Sequence, residues 1–170
     1  KKALLQPFIP LKVLLKGNGS LKKLSRVEAA SKGFQLKDKH LYSGFYLNEI
    51  TVKVVEESAA TDMLYHHYSK GLIALSNSEP IEPILREYEW ALLDELGLSL
   101  DFSIVYEADY QYFRFIPEQG FLGCSLHDFR LTYASEHLVA IAERDLSDAD
   151  VMKSYKMLMR QIFDHLLGPK

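Results

Sequence analysis

The spacing of apolar positions shifts along this chain between a two-residue and a near-four-residue period. Phe8-Ile9-Pro10-Leu11-Lys12-Val13-Leu14-Leu15-Lys16 is an apolar run with lysines interleaved. Gly17-Asn18-Gly19-Ser20 has the composition of a turn, and Leu21 to Ala29 returns with weak alternation. Two such runs around a Gly-Asn-Gly loop predict a β-hairpin. A lone hairpin is marginal in water, so further sheet is expected to join it, and none follows directly.

From about residue 39 the pattern turns helical. Residues 40–57 are apolar on several faces (Leu41, Tyr42, Phe45, Tyr46, Leu47, Ile50, Val54), which predicts a buried helix. Residues 60–75 place Leu64, Tyr68, Leu72 and Leu75 on one stripe, and Asn77 to Pro80 breaks it. Residues 81–97 place Leu85, Tyr88, Leu92 and Leu96 on one stripe and stop at Gly97. Residues 102–126 read as a β excursion, with strands over Tyr110 to Ile116 and Phe121 to Ser125 around Pro117-Glu118-Gln119-Gly120. Ser135 is placed to cap a helix reaching about Arg144. Ser147, with Asp148 and Asp150 in the first turn, starts a last helix with Val151, Tyr155, Leu158, Ile162 and Leu166 inward, closing at Gly168-Pro169.

Charge adds what periodicity does not. Residues 1–40 hold ten Lys or Arg against Glu28 and Asp38, a local charge of +8, whereas the whole chain carries −3. A basic front is joined to an acidic body, and the front would attract polyanions. No stretch approaches the roughly 20 apolar residues that cross a bilayer. Pro7 and Pro10 break any apolar signal segment at the start, so none is expected. The single cysteine, Cys124, excludes an internal disulfide and fits a reducing compartment.

Catalytic signatures are missing: no Gly-x-Ser-x-Gly, no phosphate-cradling glycine loop, no His-Glu-x-x-His. Asp62, His66 and His67 supply half a metal site, as do Cys124 and His127, and neither has the partners a tetrahedral zinc needs. No enzyme activity, cofactor or metal is therefore expected. Binding is better supported. Lys12, Lys16, Lys22, Lys23 and Arg26 sit on or beside the hairpin, where they either track a phosphate backbone or keep a sheet edge soluble. On the third helix Arg86, Trp90 and Leu93 recur at i, i+4 and i+7, offset from the leucine stripe. They form either a partly exposed strip for a peptide with an aromatic ring and a carboxylate, or, for Trp90, ordinary helix packing. The cluster Tyr106/Tyr110/Tyr112/Phe113/Phe115 either packs on helices or stacks bases.

Leu5-Gln6-Pro7-Phe8-Ile9-Pro10-Leu11, Gly17-Asn18-Gly19, Leu24-Ser25-Arg26-Val27-Glu28-Ala29 and Leu41-Tyr42-Ser43-Gly44-Phe45-Tyr46-Leu47-Asn48-Glu49 form one ordered series of motifs. Pro83-Ile84-Leu85-Arg86-Glu87-Tyr88-Glu89-Trp90-Ala91-Leu92-Leu93, then Leu96-Gly97, Gly120-Phe121 and Leu166-Leu167-Gly168 continue it. In order and spacing the series resembles the bacterial recombination mediator family RecO. The resemblance implies an oligonucleotide-binding (OB) β-barrel, a helical domain and a small zinc-finger-like insert. It implies binding of single- and double-stranded DNA, strand annealing, cooperation with RecR, and engagement of the acidic C-terminal tail of single-stranded-DNA-binding protein so that RecA can load. It implies residence in the bacterial cytoplasm, at the nucleoid, away from membranes. The family's barrel begins upstream, so this chain reads as a fragment with the barrel's last strands. The insert has only Cys124 where many relatives carry a cysteine set, which resembles the zinc-free branch. The family's arginine for the partner's terminal carboxylate aligns with Arg86.

The expected architecture is thus mainly α with minor β. Residues 1–33 would be the C-terminal part of an OB-type barrel, and residues 34–170 a helical domain with a β insert at about 102–126. The expected role is a noncovalent DNA repair mediator, with DNA on Lys12, Lys16, Lys22, Lys23 and Arg26 and the partner tail on Arg86, Trp90 and Leu93. The alternative is a protein–protein adaptor with no direct DNA contact.

Overall fold

The computed structural model describes residues 4–19, 21–55, 62–125 and 132–168. Strands β1 (Leu11–Lys16) and β2 (Lys23–Ala29) pair antiparallel, as the apolar runs predict. The register steps from Leu14↔Arg26 to Leu15↔Leu24, so Ser25 is an extra residue on β2. That bulge explains the weak alternation in the sequence. Without it Leu24 and Lys23 would exchange faces. With it, one face collects Lys12, Lys16, Lys23, Arg26 and Glu28 around a half-exposed Leu14, and the other collects Leu11, Val13, Leu15, Leu24 and Val27. Val13 and Leu15 on the apolar face stay half exposed. Two strands have little to bury that face against, and there is no closed barrel among the described residues.

Backbone bonds from Ala30 N–H to Pro10 O (2.8 Å) and Phe34 N–H to Phe8 O (2.9 Å) carry the hairpin's stem toward α1 (Asp38–Val54). Gly44 is the contact point. A Cβ there would lie 2.5 Å from Leu36 Cδ1 and 3.0 Å from the Phe8 ring, so only glycine lets those side chains close on the helix. The expectation of a helix buried on several faces is corrected: Ser43, Gly44, Leu47 and Ile50 are buried, while Tyr42 is 74% exposed and Phe45 and Val52 are exposed too. Residues 56–57 and 60–61, placed in helices by the pattern, lie outside the described residues.

Helix α2 (Asp62–Ser76) buries Leu64, Leu72 and Leu75 as its stripe predicts, with Tyr68 of the same stripe half-buried. Helix α3 (Ile81–Glu95) packs on α1, on α2 and on the last helix. It is therefore enclosed on most of its circumference rather than along one stripe. Ile84, Tyr88, Leu92 and Leu93 are buried, and Leu85 and Leu96 are only half-buried. The β excursion begins with a helical turn instead, α4 (Ser103–Glu107), too short to show a period in sequence. Strands β3 (Tyr112–Ile116) and β4 (Gly120–Cys124) follow as expected. Gln119 N–H bonds Ile116 O at 3.0 Å, with Pro117 at the second position and a left-handed Glu118 (φ 68°) at the third. That is the pattern of a type II turn. An unforeseen strand, β5 (Thr132–Ala134), pairs with β3 on its other side and completes a three-stranded sheet in the order β4-β3-β5.

Helix α5 (Ser135–Ala142) is not capped by Ser135: the cap position is Ala134, and Ser135 N–H is taken by Gln111 O at 2.9 Å. Helix α6 (Ala149–Leu167) starts not from Ser147 but from a cap at Asp148, whose carboxylate accepts from Asp150 N–H (2.6 Å) and Val151 N–H (3.2 Å). Its inward face (Val151, Tyr155, Leu158, Ile162) is buried as predicted, Leu166 is half-buried, and Gly168 ends it at φ 73°. Pro169 lies outside the described residues. Asp148→Ala removes both cap bonds and is expected to lower stability by about 1 kcal/mol; urea unfolding that shows no change would place the helix's nucleus elsewhere.

Candidate functional site

Two surfaces bear on binding. The first is the polar face of the hairpin. Lys12, Lys16, Lys23 and Arg26 are exposed there, and Lys22 is exposed in the loop just before β2. Lys16 and Lys23 are directly paired across the strands, and Lys12 sits opposite Glu28. Arg26 forms an ion pair with Glu28 (2.9 Å), and Lys22 Nζ donates to Gly17 O (2.9 Å). The structure thus brings the five predicted cations to one small β element, with one carboxylate among them.

The second is a cavity of about 350 Å³ between α1, α3 and α6. Its apolar wall is Ile50, Leu85, Phe163 and Leu167; its polar wall includes Tyr46, Arg86, Glu89, Lys156 and Arg160. Here the expectation of a partly exposed Arg86/Trp90/Leu93 strip is corrected. Arg86 is only 5% exposed and Leu93 only 1%. The reason is the enclosure of α3 by three helices. Trp90 lies away from this cavity, along a separate groove with Met63, Glu87, Asp94 and Arg144. Its indole stacks on Phe102 (5.9 Å, 5°), meets Tyr155 edge-on and receives the Arg144 guanidinium at 3.6 Å. The helix-packing reading of Trp90 is the one the geometry matches.

Arg86 is instead the centre of a buried polar cluster. Its Nη2 donates to Glu89 Oε1 at 2.8 Å, and Tyr46 O–H donates to the same oxygen at 2.5 Å. Glu89 is 1% exposed. Burial is the main reason its carboxyl is pushed up to about 7, with the Arg86 guanidinium and the Tyr46 hydrogen bond pulling the other way. Burial and the neighbouring Glu89 charge also raise the Tyr46 hydroxyl. Glu89 Oε2, Arg86 Nε and Glu82 Oε2 are buried with no hydrogen-bond partner among the described residues. Each such group costs stability unless something satisfies it. At the cavity's rim Lys156 Nζ pairs with Glu82 Oε1 (2.6 Å) and Arg160 lies 3.6 Å from Asp164.

Sequence reasoning missed Glu89, Tyr46, Lys156 and Arg160. A signal was present for three of them: Arg86-x-x-Glu89 has the i, i+3 spacing of a helical ion pair, and Lys156-x-x-x-Arg160 sets two cations on one face of α6. Asp62, His66 and His67 fall on the first turns of α2, and no group of three or more His, Cys, Asp or Glu able to hold a metal stands together among the described residues. His127 lies outside them. Of the aromatic cluster, Phe113 and Phe115 are buried in packing, while Tyr106 and Tyr110 remain exposed. No helix among the described residues is long and apolar enough to cross a membrane.

Residues 39–142 match the family described as "Recombination protein O C terminal". The chain is 40% identical to the DNA repair protein RecO of Cellvibrio japonicus over 177 residues, covering 100% of this chain and 75% of that protein. It is 35% identical to DNA repair protein RecO of Coxiella burnetii (99% of this chain, 75% of that protein) and 36% identical to that of Pseudomonas entomophila (99% and 75%). The helical body with its small β insert and basic hairpin thus belongs to the RecO family of DNA repair and recombination proteins.

Proposed function

We propose that the chain is a noncovalent recombination mediator with two binding surfaces. The cationic hairpin, taken as the end of an OB-type barrel, binds single- and double-stranded DNA. The α1/α3/α6 cavity binds the acidic C-terminal tail of single-stranded-DNA-binding protein. Together with RecR, the two surfaces promote strand annealing and RecA loading at the bacterial nucleoid. Phosphates are held by counterion release, and the reading calls for no metal and no covalent step.

One observation carries the tail site. In the cavity, an apolar wall of Ile50, Leu85, Phe163 and Leu167 meets three cations, Arg86, Lys156 and Arg160, each ion-paired to a carboxylate of the same lining. That combination fits an aromatic ring attached to a carboxylate, with further acids outside. Trp90 and Leu93 drop out of the role, because one faces another groove and the other is sealed in the core. The test is calorimetry with an N-acetylated peptide that ends in an acidic run and a terminal Phe. The free acid is expected to bind, and its C-terminal amide to bind roughly 10- to 100-fold more weakly, the size of a lost charge-assisted hydrogen bond. Equal binding of acid and amide would remove the carboxylate, and with it Arg86, from the recognition.

A further inference from the structure

The cavity has a charge problem that its occupant must solve. Its lining presents four carboxylates, Glu49 from α1, Glu82 and Glu89 from α3 and Asp164 from α6, against three cations, Arg86 from α3 and Lys156 and Arg160 from α6. Tyr46 is the remaining titratable group on the wall. Lys53 offsets Glu49 from outside (2.6 Å), Lys156 offsets Glu82, and Asp164 faces Arg160. Arg86 is already neutralised by Glu89. A carboxylate arriving at Arg86 would therefore face a second carboxylate that shares its cation, and that pair is itself shielded from water, with Arg86 5% and Glu89 1% exposed. Two like charges in such a place are strongly disfavoured unless one takes a proton.

The unsatisfied atoms show how that can happen. Glu89 Oε1 accepts from both Arg86 and Tyr46, while Oε2 is buried and bonded to nothing among the described residues. Arg86 Nε is a buried donor without an acceptor. Resting on the tail-binding reading above, we propose that the cavity takes up a carboxylate and a proton together. Both atoms are sealed from solvent at rest, so the incoming carboxylate reaches them by displacing the side chains that cover them; it then accepts from Arg86 Nε–H, and Glu89, protonated on Oε2, becomes a second donor to it instead of its competitor. The two orphaned atoms are satisfied by one ligand group, and no bond other than this O–H is made. Glu89 is thus a specificity-determining residue. It admits an anion only in protonated form, and its carboxyl, pushed up to about 7 by burial, titrates where this matters.

The experiment is the same N-acetylated peptide titrated into the 170-residue chain at pH 6, 7 and 8, in buffers of different ionisation enthalpy. If only the protonated form binds, the fraction competent falls from about nine-tenths to about one-tenth over that range, so affinity should weaken about tenfold. Net proton uptake at pH 8 should approach about one per peptide. Glu89→Gln, which already carries a donor, should abolish the uptake and flatten the pH dependence. Tyr46→Phe removes a bond that favours the charged carboxylate, so it should move the midpoint to higher pH, and it serves where Glu89→Gln does not fold. Leu167→Trp fills the cavity and should abolish binding. If Leu167→Trp leaves binding intact, the cavity is not the tail site and both readings fall. If Leu167→Trp abolishes binding but affinity is flat from pH 6 to 8 with no proton taken up, the cavity reading stands and the proton-coupled one is overturned. Uptake that persists in Glu89→Gln overturns the assignment to Glu89.

Discussion

Arg86→Ala is expected to cost the fold about 3–5 kcal/mol at pH 8.5, the usual penalty for stranding one member of a buried ion pair. The side chain lost is 5% exposed, and the carboxylate it leaves behind is 1% exposed with only Tyr46 donating to it. The Arg86 Nη1 contact to Lys156 O at 3.5 Å, which ties α3 to α6, goes as well. Removing both charges is a different matter. Arg86→Met with Glu89→Leu deletes the stranded carboxylate, and is expected to recover most of the loss, since buried pairs replaced by apolar residues of similar size are often neutral or stabilising. The pH dependence follows from Glu89. Its folded value of about 7 lies above its ordinary 4.5. The stability it contributes is therefore fully present below about 4.5 and lost as pH rises through about 7. Without Arg86 the carboxyl moves higher still, so the variant keeps its proton where the wild type has released it. The variant's deficit should accordingly shrink on acidification from pH 8.5 to 6.5, by at most about 1.4 kcal/mol per unit. Urea unfolding of the four members of the cycle at both pH values reads this directly. An Arg86→Ala loss under about 1 kcal/mol would mean the pair is open to water. This result also bears on binding assays: loss of peptide binding in Arg86→Ala is uninformative unless folding is measured beside it.

The parts legible in the sequence are those where one periodicity governs. Val151, Tyr155, Leu158 and Ile162 on α6, and Leu64, Leu72 and Leu75 on α2, are each buried on a single face, so spacing alone locates them. The hairpin was legible too, from its loop glycines and apolar runs. The failures have physical causes. The α3 helix is covered on three sides, and a stripe argument that assumes one buried face puts Arg86 and Leu93 on the wrong side of the surface. Conversely, α1 reads as buried because apolar residues fall on several of its faces, yet Tyr42 and Phe45 among them are exposed. A single-turn α4 and a three-residue β5 carry too few residues to display any period. For the site, the predicted cations of the front were found on one element, because strand pairing gathers residues near in sequence. The cavity was not found, because Tyr46, Arg86 and Lys156 lie on three helices far apart in the chain, and only tertiary packing joins them.

DNA binding by the hairpin is expected to fall steeply with salt. Of the five exposed cations, Arg26 is offset by Glu28, and Lys12, Lys16, Lys22 and Lys23 have no carboxylate bonded to them among the described residues. Four or five phosphate contacts predict a log–log slope of roughly −3 to −4.5, at about −0.7 to −0.9 per contact. Raising salt from about 50 to about 200 mM should then weaken binding roughly 10²-fold. Replacing the four lysines with Gln should flatten the slope to about −1, the share left to Arg26. The fold should survive the change, because those side chains are exposed. Glu28→Gln works in the opposite direction: it frees Arg26 and removes a repelling charge, so binding should tighten and the slope steepen by up to about one contact. The acidic body makes this a demanding test. A net charge of −3 gives no general attraction to DNA, so any steep salt dependence must come from a local concentration of positive charge, and β1 and β2 hold one. Filter binding at low salt with both variants decides the matter. A slope unchanged by the four Gln substitutions would move the DNA site elsewhere. No binding by the wild-type chain at all would leave the protein–protein adaptor reading, in which the hairpin's lysines only keep an exposed edge soluble.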